Sequence, residues 1–268
     1  MANVADPNTK PPLGIGSILS QSMSILFGRF LLFFAIAFAV QLVALLLNRL
    51  FVPTAALLDP ETAVSAAFAV GPIVSGLLAL VASSVTTGII VLGAYDAWLG
   101  NPSRPGAYLG AALAAIVPLV VLSIVVNVVA GLGLVLLILP GLYVLSMWSV
   151  VTPAIVAEGA GFGALGRSLQ LTSGYRWSIV GLLVVLFVII IAIQFVVSAA
   201  LGAAFGVSAL APTADQFATL TSLPYQLAAA LPGALMAAFA AVLTAVLYAR
   251  LKEIKEGVGY EDLGTVFE

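Results

Sequence analysis

Apolar and charged positions separate in this chain over tens of residues rather than over single residues. Stretches without Asp, Glu, Lys or Arg cover residues 30–48, 62–95, 105–157, 177–214 and 216–249. A helix rises about 1.5 Å per residue and the hydrocarbon core of a bilayer is about 30 Å thick, so one crossing takes about 20 residues. The third stretch is long enough for two crossings, and glycine's tolerance of positive φ favours a turn at Gly131-Leu132-Gly133. The pattern therefore predicts six membrane-spanning helices.

The predicted fold class is all-α, a polytopic membrane protein whose six transmembrane helices are compatible with three hairpins. We expect the spans near Phe30–Val52, Pro72–Leu99, Gly106–Ala130, Leu132–Val156, Trp177–Leu201 and Leu223–Leu251. The segments around 53–64 and 206–220 carry Pro, Thr, Ser and Asp, which predicts two longer exposed loops. The pattern leaves open whether spans three and four cross fully or are partly re-entrant.

Two amphipathic helices are predicted at the membrane surface. Within residues 13–28 the apolar face comprises Ile15, Ile18, Leu19, Met23 and Leu26, and the polar face comprises Ser17, Ser20, Gln21 and Ser24. This spacing predicts a helix in the interface plane, the alternative being a continuation of span one. A similar layout over about 161–174 predicts a second such helix. We therefore expect one membrane domain over 1–268, divided into a tail and interfacial helix (1–29), the spans (30–251) and a C-terminal tail (252–268).

The two surface segments also suggest an internal repeat. Gly14 and Gly16 align with Gly161 and Gly163 at an offset of 147 residues, and at the same offset Arg29-Phe30 aligns with Arg176-Trp177. A duplication would be parallel rather than inverted, because both copies start on the same side of the membrane. Chance similarity of common residues is the alternative.

The basic residues predict the orientation of the spans. With both termini on one side, that side receives Lys10, Arg29, Arg104, Arg167, Arg176, Arg250, Lys252 and Lys255, and the other side receives only Arg49. Basic residues concentrate on the cytoplasmic side of membrane proteins. The bias predicts a multi-pass protein of the cytoplasmic (inner) membrane with both termini in the cytoplasm.

Composition excludes several kinds of chemistry. Charged residues make up 7% of the chain, against about 25% in a soluble domain, and the chain has no histidine and no cysteine. Disulfides, thiolate metal sites and mechanisms that need imidazole are therefore excluded. We predict no catalytic residues, no cofactor and no metal. The glycines near Gly161 lack the strand and lysine of a phosphate loop, and the basic residues at the membrane surface leave none for binding nucleic acid.

One stretch resembles a known family. It contains Leu139-Pro140-Gly141, Trp148-Ser149, Pro153, Glu158-Gly159 and the run from Ala164 to Trp177. These residues resemble the membrane domain of glycerophosphoryl diester phosphodiesterases and related uncharacterised six-span bacterial membrane proteins. Family members pair a Pro-Gly in the fourth span with a glutamate at its cytoplasmic end, followed by a surface helix. The resemblance implies that fold, and it marks Arg167, Ser168, Thr172, Gly174 and Arg176 as the surface-helix motif. It implies no phosphodiesterase activity, because that chemistry needs histidines in a separate domain.

Asp96 and Glu158 are the two acids nearest the membrane. Ionisable residues inside a membrane are costly and often functional. Both nevertheless lie near the predicted cytoplasmic ends of spans, where Arg104, Arg167 or Arg176 is available as a partner. A structural ion pair and a proton or substrate relay are the two interpretations. The structural hypothesis is that Glu158 pairs with Arg167 or Arg176 and holds the surface helix against span four.

Polar and proline residues within the spans also carry two interpretations. Gln41, Asn48, Asn127 and Gln194 either bond locally between helices or line a polar path. Pro118, Pro140, Pro153 and Pro232 can each kink a helix. We expect Pro140-Gly141 to lie in mid-span, where a helix break exposes carbonyl groups to a cavity.

Span six carries small residues four positions apart. The series is Ala229, Gly233, Ala237, Ala241, Ala245 and Ala249. Such a ridge allows another helix to approach closely, which predicts a central packing helix or an oligomer contact.

The sequence as a whole favours a non-enzymatic membrane protein that acts as a scaffold or through lipids or a partner. The expected partners are membrane lipids, together with a protein partner or a second copy of the chain. The alternative is a small-molecule or lipid transporter or channel that uses the Pro140-Gly141 break. An intramembrane enzyme is the third and weakest candidate, because no catalytic cluster is visible.

Overall fold

A computed structural model describes residues 13–51, 68–207 and 214–257, and in these ranges every regular element is a helix. The helices are α1 (Ile15–Gly28), α2 (Phe30–Phe51), α3 (Phe68–Trp98), α4 (Pro105–Ala114), α5 (Ile116–Leu136), α6 (Ile138–Met147), α7 (Val151–Glu158), α8 (Ala164–Thr172), α9 (Arg176–Phe205), α10 (Ala214–Thr221) and α11 (Leu223–Glu256). Within the same ranges, six stretches are long and apolar enough to cross a membrane: Phe30–Phe51, Gly71–Trp98, Ile116–Leu136, Ile138–Glu158, Arg176–Phe205 and Leu223–Glu256. The predicted all-α, multi-pass fold is confirmed.

Helix α11 lies at the centre of the bundle. It packs against α1, α2 and α3, and the half nearer its C-terminus is buried on nearly all sides. Ala234, Ala238, Ala241 and Ala245 are fully buried, and their small side chains allow the neighbouring helices to approach closely. Of the predicted ridge, Ala229, Gly233 and Ala237 are half-buried and Ala241 is buried.

The first surface helix is held by its apolar face, with one departure from the prediction. Ile18, Ser22 and Leu26 of α1 are buried against the bundle, chiefly against α11. Met23, which we placed on the apolar face, is 43% exposed and does not join the buried stripe. Ile18, Ser22 and Leu26 follow each other at intervals of four, and this narrow stripe turns Met23 away from the bundle.

The turn between spans three and four lies at Leu137 and not at Gly131-Leu132-Gly133, which is continuous helix in α5. Gly133 permits close packing instead of a turn. A Cβ on Gly133 would lie 2.9 Å from the Cα of Gly141, so only glycine lets α5 and α6 meet here. Leu137 is extended, with φ −157° and ψ 133°, and a single residue reverses the chain.

The predicted mid-span break at Pro140-Gly141 is also wrong. Pro140 is the third residue of α6, where the missing N–H would have no partner within the helix. Pro118 and Pro153 hold the same third position in α5 and α7. These prolines therefore stand in the first turn of a helix instead of interrupting one. The interruption of span four lies at residues 148–150, between α6 and α7.

The two ends of the bundle differ in chemistry. At one end, which we call the basic face, lie α1, the loop from Leu99 to Arg104, α8 and the C-terminal end of α11. At the other end, the far face, the Arg49 guanidinium donates to Gln226 Oε1 at 2.9 Å and to the carbonyl oxygen of Thr221 at 2.6 Å. Asn48 donates to Ser75 Oγ at 2.7 Å beside it.

The two proposed repeat copies share a layout but have different neighbours. Gly14 and Gly161 both have positive φ just before their surface helix, at 68° and 51°. Helix α1 packs mainly on α11, whereas α8 packs mainly on α7. The internal repeat stays a prediction.

Candidate functional site

Glu158 is the centre of a polar cluster at the basic face. It is the last residue of α7, and its carboxylate accepts two hydrogen bonds from Arg167 of α8, from Nε at 2.6 Å and from Nη2 at 2.7 Å. The Lys252 ammonium of α11 lies 3.3 Å away, and the Tyr248 hydroxyl donates to the same carboxylate. The cluster thus joins α7, α8 and α11 through one side chain that is only 17% exposed.

Arg167 extends this cluster to the end of α11. Its Nη2 also lies 2.6 Å from Glu256 Oε1, so one guanidinium binds two carboxylates. The hydrogen bond to Glu158, followed by the one to Glu256, raises the pKa of Arg167 above its usual range. Gly159, with φ 64°, ends α7 directly after Glu158 and turns the chain toward α8. This arrangement is a clamp, and its bidentate geometry is the strongest form of such a pair.

Ser168 and Thr172 fasten α8 to the interruption in span four. Both are fully buried, and the Ser168 hydroxyl donates to the carbonyl oxygen of Met147 at 2.8 Å. The Thr172 hydroxyl lies 3.2 Å from the same carbonyl oxygen and 2.8 Å from that of Ser168, one turn earlier in α8. Met147 is the last residue of α6, where carbonyl groups lack partners within the helix. The Ser168 hydroxyl therefore supplies a hydrogen bond that the interruption removes.

Arg176 interacts with Tyr143 and not with the Glu158 cluster. Gly174, with φ 83°, turns the chain from α8 toward α9. Arg176 then donates to the Tyr143 hydroxyl at 3.2 Å, and its guanidinium carbon lies 5.6 Å from the centre of that ring. Of the two partners proposed for Glu158, the structure places Arg167 at the carboxylate and Arg176 at Tyr143.

Asp96 forms a second polar cluster, near the end of α3. The Tyr108 hydroxyl donates to Asp96 Oδ2 at 2.5 Å, whereas Arg104 reaches the carboxylate only at 3.3–3.4 Å. Asn101 donates at 3.3 Å. The carboxylate raises the pKa of Arg104, chiefly through the hydrogen bond. The Asp96 side chain is 7% exposed but that of Arg104 is 49% exposed.

Arg29 holds the loop that carries Arg104. Its guanidinium donates to Ser103 Oγ at 2.9 Å and to the carbonyl oxygen of Asn101. The junction between α1 and α2 is thereby tied to the loop that follows α3. Arg104 is left as the half-exposed cation of this cluster.

Of the polar residues predicted within the spans, Asn127 and Gln194 bond within their own helices, whereas Gln41 and Asn48 line one pocket of about 240 Å³. Asn127 donates to the Ser123 carbonyl at 2.8 Å and Gln194 to Ser198 Oγ at 3.3 Å, each one turn away in its own helix. Gln41 lies instead beside Gly233, where an added Cβ would be 3.1 Å from its Nε2. The described residues do not bring these groups and Pro140 together at one polar cavity, which the transporter alternative required.

An apolar groove lies between α2, α3 and the start of α4. Its volume is about 530 Å³, and its lining comprises Ile36, Ala39, Val40, Val43, Ala44, Leu47, Leu78, Val81, Ala82, Val85, Ile89, Pro105, Gly106 and Leu109. Every lining residue is apolar. Val43, Leu47 and Leu109 are exposed, so the groove opens on the outer surface of the bundle. Its end at Pro105 and Gly106 directly follows Arg104 in the chain.

Sequence reasoning missed Tyr248, Tyr108 and the groove. Tyr248, Lys252 and Glu256 recur at intervals of four residues, which places them on one face of α11 beside Glu158 and Arg167. Tyr108 follows Arg104 at the same interval. These spacings are a signal that could have identified both tyrosines. The groove depends on how three helices pack and has no such signal.

Comparisons with known proteins give no relative for this chain. No protein-family model matches it, and no curated protein or solved structure matches it either. Among the described residues, we find no place where three or more His, Cys, Asp or Glu side chains lie close enough together to hold a metal ion.

Proposed function

We propose that this chain is a non-enzymatic membrane protein that binds an anionic phospholipid. One acyl chain lies in the apolar groove, and the phosphate lies near Arg104 at the basic face. The observation that carries the proposal is the groove itself, whose lining is wholly apolar and whose end at Pro105 directly follows the half-exposed Arg104 in the chain.

The dimensions of the groove suit one acyl chain. Along α2 it extends from Ile36 to Leu47, which corresponds to about 16 Å of helix. The hydrocarbon of one leaflet is about half of a core about 30 Å thick. A chain of methylene groups packed against aliphatic side chains gains dispersion contacts that an empty groove would forgo.

The charge near Pro105 suits a phosphate. Arginine presents five N–H donors, and the long contacts to Asp96 leave part of the Arg104 guanidinium available. Gly106 lies in the first turn of α4, where backbone N–H groups point away from the helix. Asp96 also receives hydrogen bonds from Tyr108 and Asn101, so its charge is shared among several donors.

The basic face is the cytoplasmic face in this proposal, because the predicted positive residues gather there. The lipid then comes from the cytoplasmic leaflet of the inner membrane, with both termini in the cytoplasm. The resemblance of residues 139–177 to the glycerophosphoryl diester phosphodiesterase membrane domain stays a prediction, and the lipid site does not depend on it.

The acyl-chain half of the proposal is tested with Ala82→Phe. Ala82 lines the groove, whereas Ala192 is an exposed residue of α9 outside the groove lining and provides a matched Ala192→Phe control. We expect detergent-purified Ala82→Phe to retain several-fold less phospholipid by mass spectrometry than the unmodified protein, and Ala192→Phe to retain the same amount. Equal retention by Ala82→Phe would refute acyl binding in the groove.

The headgroup half is tested with Arg104→Gln and the control Lys255→Gln, which removes one exposed cation from the same face. In nanodiscs that contain phosphatidylglycerol and phosphatidylcholine, the unmodified protein should enrich phosphatidylglycerol around itself. Loss of charge-assisted hydrogen bonds should lower that preference by about tenfold in Arg104→Gln only. Equal losses in both variants would mean that the phosphate does not bind at Arg104.

A further inference from the structure

The turn between α5 and α6 exposes an unusual run of large apolar side chains. We call residues Val135, Leu136, Leu137, Ile138 and Leu139 the apex. Their exposed fractions lie between 64% and 85%, so none of them packs substantially against the described residues. The apex lies at the end of its hairpin away from α7, α8 and the basic face.

The sequence around the apex has no group that prefers water. From Val128 to Leu142 every side chain is apolar. The other two predicted connections on the far side differ, because residues 53–64 include Asp59 and Glu61, and residues 206–220 include Asp215. A water-exposed patch of five large aliphatic side chains would be a liability for any protein.

The backbone of the turn is suited to a medium without water. In hydrocarbon the polar groups of a turn must find partners within the protein. The Leu137 N–H donates to the Gly133 carbonyl at 2.9 Å, and the Gly141 N–H donates to the Leu137 carbonyl at 3.3 Å. Pro140 removes one donor from the first turn of α6, where an N–H would have no partner within the helix. Reversal at one residue leaves little irregular backbone.

We infer that the apex is embedded in the hydrocarbon of the bilayer and that acyl chains of the far leaflet cover it. The α5–α6 hairpin therefore presents no loop to water at the far face. This inference is independent of the groove and of Arg104.

The chain is well suited to a direct test, because it has no cysteine. Single variants Leu137→Cys and Leu139→Cys place a thiol at the apex, whereas Ser222→Cys places one at the far face and the exposed Ser173→Cys one at the basic face. Each variant is reacted with a nitroxide in detergent and reconstituted into nanodiscs, whose two faces are both open to water. Collisions with molecular oxygen report on hydrocarbon, and collisions with a water-soluble nickel chelate report on water.

We expect both apex nitroxides to collide frequently with oxygen and at least tenfold less with nickel than the nitroxides at Ser222 and Ser173. Nickel collisions at the apex equal to those at Ser222 would overturn the inference in favour of a water-exposed loop. Low collision rates with both reagents would overturn it in favour of contact with a second copy of the chain. Two apex positions protect the result against a single variant that fails to fold.

Discussion

The two acids at the basic face have similar sequence settings but different structures. Each lies near the end of a span with an arginine eight or nine residues later. The Glu158 carboxylate accepts two hydrogen bonds from Arg167, at 2.6 Å and 2.7 Å. It also contacts the Lys252 ammonium and the Tyr248 hydroxyl. Asp96 holds its arginine at 3.3–3.4 Å, and its shortest contact is with Tyr108.

The difference shows that an arginine near a carboxylate can either be fully engaged in holding helices together or keep part of its guanidinium available for another contact. Arg167 is 24% exposed and bridges two carboxylates, so it has little capacity for a ligand. Arg104 is 49% exposed and contacts one carboxylate at 3.3–3.4 Å, so the anion binding that we propose would not break a short pair. A carboxylate shared by three helices supports the fold, whereas the loosely held pair at Asp96 is where we propose that a lipid phosphate binds.

Glu158→Gln should have the largest effect on stability. The substitution leaves Arg167 and Lys252 without their shared counter-charge, and breaking such a largely buried pair costs about 3 kcal/mol. Thermal unfolding in detergent should show a clear fall in Tm. The control Glu253→Gln lies in the more exposed pair with Arg250 and should leave Tm nearly unchanged. An unchanged Tm for Glu158→Gln would mean that the clamp does not stabilise the bundle.

The double variant Ser168→Ala with Thr172→Val should have the next largest effect. It removes the Ser168 donor to the Met147 carbonyl and the Thr172 hydroxyl near the carbonyl groups of Met147 and Ser168, while Arg167 and Glu158 stay paired. Two lost buried hydrogen bonds cost about 2 kcal/mol together. Chemical unfolding in mixed micelles measures this, with the exposed Ser173→Ala as control. A loss no larger than the control's would show that the Glu158 ion pairs hold α8 without the hydroxyls.

Asp96→Asn should have the smallest effect on stability and a separate effect on lipid. Tyr108 can still donate to an amide oxygen, so we expect a loss of about 1 kcal/mol. Release of Arg104 from the carboxylate should increase the enrichment of phosphatidylglycerol over phosphatidylcholine. Glu158→Gln, measured in parallel, should leave lipid preference unchanged because it lies in the other cluster. A fall in preference with Asp96→Asn would contradict an available Arg104.

Hydropathy was sufficient to predict the membrane-spanning helices, but it did not predict the structural roles of glycine and proline. Gly131-Leu132-Gly133 has the composition of a turn, yet Gly133 allows close helix contact with Gly141. Pro140 has the composition of a break, yet it stands in the first turn of a helix. Both errors have one cause. The local sequence indicates which backbone conformations a glycine or proline tolerates, but it does not indicate which neighbouring helix that residue contacts.

The sequence predicted the parts of the candidate sites whose residues are close together in the chain and belong to residue types that are rare in it. Charged residues are few, so Glu158 and Arg167 stood out as partners. Tyr248 comes 90 residues after Glu158 and lies in an apolar helix, where its ring suggests packing alone. The groove required α2, α3 and α4 to be placed relative to one another, which hydropathy does not provide.

The position of Tyr248, Lys252 and Glu256 near the end of α11 has a consequence for biosynthesis. The ribosome completes Glu158 and Arg167 about 90 residues before these partners exist. Until α11 has left the ribosome and inserted, Glu158 and Arg167 have each other but lack the tyrosine, the lysine and the second carboxylate. Final closure of the basic face therefore follows the insertion of α11, whereas Arg167 and Ser168 can hold α8 to Glu158 and Met147 before then.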